Sequence, residues 1–194
     1  KRIVVVSSAP QIRYPDCYGI DMAKLGDLVA FQAAIALLRE THQENVIDDV
    51  YERCLANVGK PLPIPGDPNG QDGPAPWIEN PVKDIYAPFT AQRISDKIAE
   101  LLTPPEIRAE VRIVYQGIEG LRAACPQHTG DWYFTGDYPT PGGNRVVMQP
   151  CLHQLQSQQQ LSGVLIPAGA HQRGQLTRMR RSRTSMRPGP FSQT

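Results

Sequence analysis

The sequence has few cysteines, few aromatic residues and no long apolar run. Its 194 residues include four cysteines, whose spacing fits no disulfide framework and favours a reducing compartment. No apolar run approaches the ~20 residues that a membrane-spanning helix needs. No charged segment followed by an apolar one resembles a secretion signal. We therefore expect a cytoplasmic protein that does not associate with a membrane.

Acidic residues are absent from the end of the chain. Residues 148–194 contain six arginines and no Asp or Glu, whereas residues 1–147 hold the other 14 basic residues and all 19 acidic ones, a net charge of −5. The segment is also rich in glutamine and has little apolar periodicity, so we expect it to be disordered. It could bind nucleic acid through its charge. The preferred alternative is that it is not a selected sequence, and we expect no nucleic-acid partner.

Motifs for independent catalysis are missing as well. The sequence contains neither G-x-S-x-G nor H-E-x-x-H. The histidines are dispersed, at His42, His128, His153 and His171. We therefore predict no catalytic residue and no metal ligand from motifs alone.

The start of the chain predicts a strand followed by a polar turn. Residues Lys1 to Val6 consist of two basic residues followed by four apolar, β-branched ones. This pattern is typical of a strand buried on both faces of a parallel sheet. Ligands of open α/β sheets bind at the carboxyl ends of the strands. The segment from Ser7 to Pro10 is therefore where a binding site is expected.

Apolar periodicity and breakers predict the remaining elements. Helices are predicted at 24–40, 45–58, 90–102 (with Thr90 as N-cap) and 118–124, a strand at 111–115, and loops and turns at 131–143. The closely spaced prolines and glycines of residues 59–81 predict a linker or excursion without regular structure.

Four segments resemble one enzyme family in their order along the chain. The run S-S-A-P-Q-I-R-Y-P-D-C-Y-G-I-D-M spans Ser7 to Met22, and shorter runs lie at 31–35, 84–90 and 130–144. Together they are similar to the C-terminal third of the glutamine phosphoribosylpyrophosphate amidotransferases. The resemblance covers residues 1–147 and stops there.

The resemblance implies an α/β fold in four parts. Residues 1–58 would be the end of a type I phosphoribosyltransferase domain, which has a Rossmann-like parallel sheet, and residues 59–81 the linker. Residues 82–147 would form the C-terminal helical and loop extension, and residues 148–194 a disordered tail. The family's nucleophilic cysteine and its paired-aspartate phosphate loop would both lie upstream of Lys1. We expect the chain to be a fragment that is inactive alone.

The resemblance also implies a reaction and its participants. Enzymes of this family hydrolyse glutamine and transfer the ammonia to phosphoribosyl pyrophosphate with Mg²⁺ bound, giving 5-phosphoribosylamine in the first step of purine synthesis. They act as homo-oligomers. The resemblance places near the phosphoribosyl substrate Ser7, Ser8, Tyr18, Gly19, Ile20 and Asp21. It assigns Leu28 to the apolar channel that carries ammonia, although helical spacing predicts a core position for Leu28 equally well.

Three other patterns are expected to be structural. Asp48 and Asp49 follow two apolar residues, as a phosphoribosyl signature would, but no glycine loop comes after them, so we expect a solvated helix face. Gly142-Gly143 is expected to be a turn because no strand and helix flank it. The Cys125-x-x-His128 spacing resembles a metal knuckle, but iron–sulfur clusters need four ligands. With Cys17 the only further candidate, we expect no cluster.

A non-catalytic function also remains open. In that alternative the chain is a binding or interaction module whose basic tail, residues 148–194, is the active part.

Overall fold

The computed structural model describes residues 1–16, 22, 24–60, 79–127 and 130–161. The described elements are β1 (Arg2–Val6), α1 (Val29–Glu40), α2 (Asn45–Val58), α3 (Ala91–Leu102), β2 (Glu110–Val114), α4 (Ile118–Ala124), α5 (Trp132–Thr135) and α6 (Pro141–Leu161), with 3-10 helices at Leu25–Asp27 and Pro81–Ile85. The chain divides into one unit from Lys1 to Gln158 and another from Gln159 to Thr194. The predicted α/β class is confirmed, although most of the described elements are helices.

The two strands form a parallel pair whose register runs from Arg2 opposite Glu110 to Val6 opposite Val114. The prediction that β1 is buried on both faces is wrong, since its four apolar side chains are 45–72% exposed. In the described part of the chain β1 pairs with β2 alone. Helix α3 packs against β2, where Ile113 is buried. The sequence predicts the strand itself but not its burial, because burial depends on which other elements pack against the strand.

The core forms around α1, whose wide apolar face was predicted. Seven of its twelve residues are buried, and α1 packs mainly against α3. The helix begins later than the periodicity suggests, because Leu28 has extended backbone angles and separates α1 from the 3-10 helix before it. Helix α3 begins as predicted, with the Thr90 hydroxyl accepting a hydrogen bond from the Arg93 N–H at 3.1 Å. The predicted bounds of α2 and α4 are confirmed.

Helix α6 overturns two expectations. The disorder predicted from residue 148 is wrong as far as Leu161, because Met148, Cys151 and Leu155 are buried along one face of α6. Their spacing of three and four residues makes a narrow apolar stripe that the surrounding glutamines obscure in the sequence. Gly142 and Gly143 lie in the first turn of this helix rather than in a separate turn.

Other expectations fall partly or wholly outside the described residues. All six arginines of the basic tail do so, as do residues 61–78 of the predicted linker. Residues 131–143 contain the short helix α5 and the start of α6, so the expectation of loops and turns alone is wrong there. No helix among the described residues is both long enough and apolar enough to cross a membrane.

A candidate binding cleft at the strand ends

The polypeptide leaving β1 is tied to the polypeptide leaving β2. The Ser7 N–H donates to the Val114 carbonyl at 2.8 Å, and the Gln116 N–H donates to the Ala9 carbonyl at 3.3 Å. The Ser7 hydroxyl accepts from the Ala9 N–H at 3.2 Å. Ser7 thus closes a turn at the carboxyl end of the strand, and Ser8 lies exposed beside it.

Just beyond this turn lies a cleft of about 310 Å³. Its walls come from the segment after β1, the start of α3, the segment after β2 and the aromatic segment near α5. The polar side chains of its lining include the neutral Gln11, Gln92, Ser95 and Gln116, the cation of Arg13 and the carboxylate of Glu119, with Phe134 among the apolar ones. A cleft at the carboxyl ends of parallel strands is the usual place for a ligand in an α/β protein.

Gln11 is the buried centre of the cleft wall. Its Nε2 donates to the Ala91 carbonyl at 2.7 Å and to the Ser95 hydroxyl at 2.8 Å. Its Oε1 accepts from Arg13, at 3.2 Å from Nε and 2.8 Å from Nη2. The glutamine therefore joins the segment after β1 to α3 and fixes the guanidinium. A cation held in one orientation before a ligand arrives loses less side-chain entropy on binding.

Tyr86 supports Arg13 from the other side. The guanidinium carbon lies 5.3 Å from the centroid of the Tyr86 ring, a cation–π contact. The Tyr86 hydroxyl donates to the Arg13 carbonyl at 2.5 Å. Burial raises the pKa of Tyr86 well above its usual value, and burial also raises the pKa of Tyr14, whose ring meets Tyr86 edge-on at 5.4 Å. Both phenols therefore stay neutral at physiological pH.

The aromatic segment around α5 holds the same stretch of chain in place. The Tyr133 carbonyl accepts hydrogen bonds from the Arg13 N–H at 2.9 Å and the Tyr14 N–H at 3.1 Å. The Tyr138 hydroxyl donates to the Pro15 carbonyl at 2.5 Å. Three segments that are distant in sequence thus meet beside Arg13, namely residues 7–16, 84–90 and 130–144. The arrangement suits binding of an anionic or polar group.

The predicted site residues are only partly brought together. Ser7 and Ser8 lie at the carboxyl end of β1, but neither is among the residues that line the cleft. Tyr18, Gly19, Ile20 and Asp21 lie outside the described residues. Leu28 lies at the start of α1, 8% exposed and packed in the apolar core.

The patterns expected to be structural have mixed outcomes. Asp48 and Asp49 lie on the helix α2 as expected, and Asp49 forms an ion pair with Arg53 at 3.0 Å. Cys125 is exposed, whereas Cys17 and His128 lie outside the described residues. Among the described residues, no group of three or more His, Cys, Asp or Glu side chains could hold a metal ion.

Sequence reasoning missed Gln11, Arg13 and Tyr86 as a unit. All three belong to segments that resemble the family, which was the available signal. Nothing in local spacing pairs Gln11 with Ser95, because the contact joins residues more than 80 positions apart.

A larger surface depression of about 450 Å³ lies between α3 and β2. Ala99, Pro104, Ile107 and Val111 make much of its lining, with Asp96 and Glu100 among the others. Its charged lining residues are both acidic, and no basic side chain is among its lining residues, whereas Arg13 lines the smaller cleft. We therefore place the candidate site in the smaller cleft.

No protein-family profile, no curated protein and no solved structure matches this chain. Its function is therefore inferred from its residues and their arrangement.

A substitution at Gly136 would test the packing around Tyr14, the residue that follows Arg13. It has a φ of +75°, and a Cβ at this position would lie 2.6 Å from the Tyr14 ring. We expect Gly136→Ala to lower the free energy of unfolding by about 3 kcal/mol, because backbone strain and the clash add. Gly59→Ala is the matched control, since nothing lies within 4 Å of its Cβ position. Urea denaturation that gives the two variants equal midpoints would contradict this packing.

Proposed function

We propose that this chain is the C-terminal part of an amidophosphoribosyltransferase, and that it supplies scaffold and an apolar passage wall to that enzyme. The parent enzyme would hydrolyse glutamine at a cysteine nucleophile. The ammonia would then attack C1 of phosphoribosyl pyrophosphate, displacing pyrophosphate and giving 5-phosphoribosylamine. Residues 1–58 would close the phosphoribosyltransferase domain, whose magnesium-bound diphosphate would be held by residues outside this sequence.

The convergence of the resembling segments carries the proposal. Segments 7–22, 31–35, 84–90 and 130–144 were identified by their sequence, and residues 7–16 of the first are described. The first, third and fourth meet through the hydrogen bonds that Tyr86, Tyr133 and Tyr138 make with the backbone between Arg13 and Pro15. Unrelated segments that match a family by chance have no reason to share one packing centre. The parallel strands, with the cleft at their carboxyl ends, also suit the end of a Rossmann-like sheet.

The described part of the cleft supports binding rather than bond-making. Ser95 is engaged with Gln11 and with the Ala91 carbonyl, and Ser7 is engaged with Ala9. Nucleophilic catalysis needs a hydroxyl or thiol activated by an adjacent base, and the described lining residues offer no such pair. The proposed contribution is therefore to position substrate and exclude water.

The proposal is tested by joining this chain to the upstream half of an enzyme of the family. The 194-residue chain alone is expected to make no phosphoribosylamine from phosphoribosyl pyrophosphate with either glutamine or ammonia. The joined enzyme is expected to release glutamate and pyrophosphate in equal amounts. The control carries Ser in place of the upstream nucleophile, and should use ammonia only.

Two results would overturn the proposal. Turnover by the chain alone would show that it is an enzyme in its own right. A joined protein that folds, as judged by circular dichroism, but releases no pyrophosphate with ammonia would show that the chain does not complete this kind of domain.

A further inference from the structure

A buried pair of thiols joins α2 to α6. Cys54 and Cys151 are both 0% exposed, and neither is in a disulfide. The Cys54 thiol, as a hydrogen-bonding neighbour, and burial together raise the pKa of the Cys151 thiol well above its usual value. The thiol therefore stays protonated and unreactive while both helices remain packed.

Contacts on both sides fix the register of the pair. Nε2 of Gln156 donates to the Tyr51 hydroxyl at 2.9 Å. At the other end, Nη2 of Arg145 donates to the Lys60 carbonyl just beyond α2. As the chain runs forward from Tyr51 to Lys60, the hydrogen-bond partners on α6 run backward from Gln156 to Arg145. The two helices are therefore antiparallel, and Cys54 and Cys151 lie between the two hydrogen bonds. Since both side chains are fully buried, this register places the two thiols on facing sides of the helices.

Helix α6 also has a feature that allows the pair to be exposed. Pro150 lies inside the helix, directly before Cys151. Proline has no N–H, so the Val146 carbonyl lacks its usual partner four residues on, and the ring disturbs that turn. Elements with interrupted hydrogen bonding open locally at lower free-energy cost than the rest of a protein. Opening of α6 at this point would bring Cys151 into contact with small solutes.

We propose that Cys54 and Cys151 are a site of reversible oxidation, at which a low-molecular-weight disulfide converts the two thiols into a bond that fastens α6 to α2. On opening, one cysteine loses its proton, and its thiolate attacks the small disulfide, which releases one small thiolate and leaves a mixed disulfide. The second cysteine then attacks the protein sulfur of the mixed disulfide and displaces the other small thiolate. The protein loses two electrons and two protons, and the small disulfide gains them as two thiols.

The experiment uses the full chain with Cys17→Ser and Cys125→Ser, which leaves only this pair of the four cysteines. After incubation with 2-hydroxyethyl disulfide, we expect both thiols to be lost. Mass spectrometry of unreduced peptides should show Cys54 linked to Cys151 within one chain. The melting temperature should rise by about 5–10 °C, because the bond closes a long loop of the unfolded chain. Dithiothreitol should reverse all three changes.

The control adds Cys54→Ala to the same background, and should form only a mixed disulfide at Cys151 with no rise in melting temperature. If the serine substitutions prevent folding, the same peptide linkage is sought in the unsubstituted chain. Absence of the linkage after prolonged incubation with the small disulfide, at urea concentrations just below the unfolding transition, would overturn the proposal. Linkage only between different chains would overturn it as well.

Discussion

A chain that ends after Val147 is expected to lose its cooperative fold, whereas a chain that ends after Gln158 keeps it. The shorter chain lacks Met148, Cys151 and Leu155, which are at most 1% exposed in the core. Burial of a large apolar side chain contributes about 1.5–3 kcal/mol, so the loss amounts to roughly 5 kcal/mol or more. That approaches the whole stability of many domains, which is about 5–15 kcal/mol. Urea denaturation followed by circular dichroism measures the difference.

The chain ending after Gln158 is the matched control, because it lacks all the arginines of the basic tail but keeps the buried face of α6. Midpoints for both truncated chains that equal the midpoint of the full chain would show that the part of α6 after Val147 adds nothing to the core. If the midpoint of the 1–158 chain falls below that of the full chain by as much as the midpoint of the shorter chain does, residues after 158 supply the lost stability.

Leu28→Asp is expected to have the second largest effect. Leu28 is 8% exposed among apolar side chains, so a carboxylate there is desolvated without a partner. We expect the free energy of unfolding of the chain to fall by about 3–5 kcal/mol. In the joined enzyme of the proposed function, glutamine hydrolysis should continue while pyrophosphate release falls well below it. The physical reason is that an unpaired charge draws water into the proposed apolar passage, where neutral ammonia would be protonated.

Two further variants separate a channel role from a core role for Leu28. Leu55→Asp places the same charge on α2 at a side chain that is 39% exposed, and should change stability by about 0.5 kcal/mol or less and leave coupling intact. Leu28→Ala should weaken the core without adding charge, and should stay coupled. If the Leu28→Asp enzyme releases glutamate and pyrophosphate equally, Leu28 is a core residue and not part of the passage.

Several local elements of this protein follow from its sequence. Apolar periodicity places α2 and α4 at their observed ends, because helix formation there depends on neighbours three and four residues apart. Thr90 begins α3 because its side chain accepts a hydrogen bond that the first turn cannot make internally. The absence of a glycine loop after Asp49 correctly predicts the exposed helix face on which Asp48 and Asp49 lie.

Only the tertiary structure decided what each element packs against. The apolar sequence of β1 predicts a buried strand, yet its side chains are largely exposed since β2 is the only strand beside it in the part of the chain described. The glutamines of α6 predict disorder, yet three buried residues dock this helix. The contacts of Gln11 with Ser95, of Tyr86 with Arg13 and of Cys54 with Cys151 join distant positions. A local pattern encodes the conformation of a segment, but such contacts depend on where folding brings another segment.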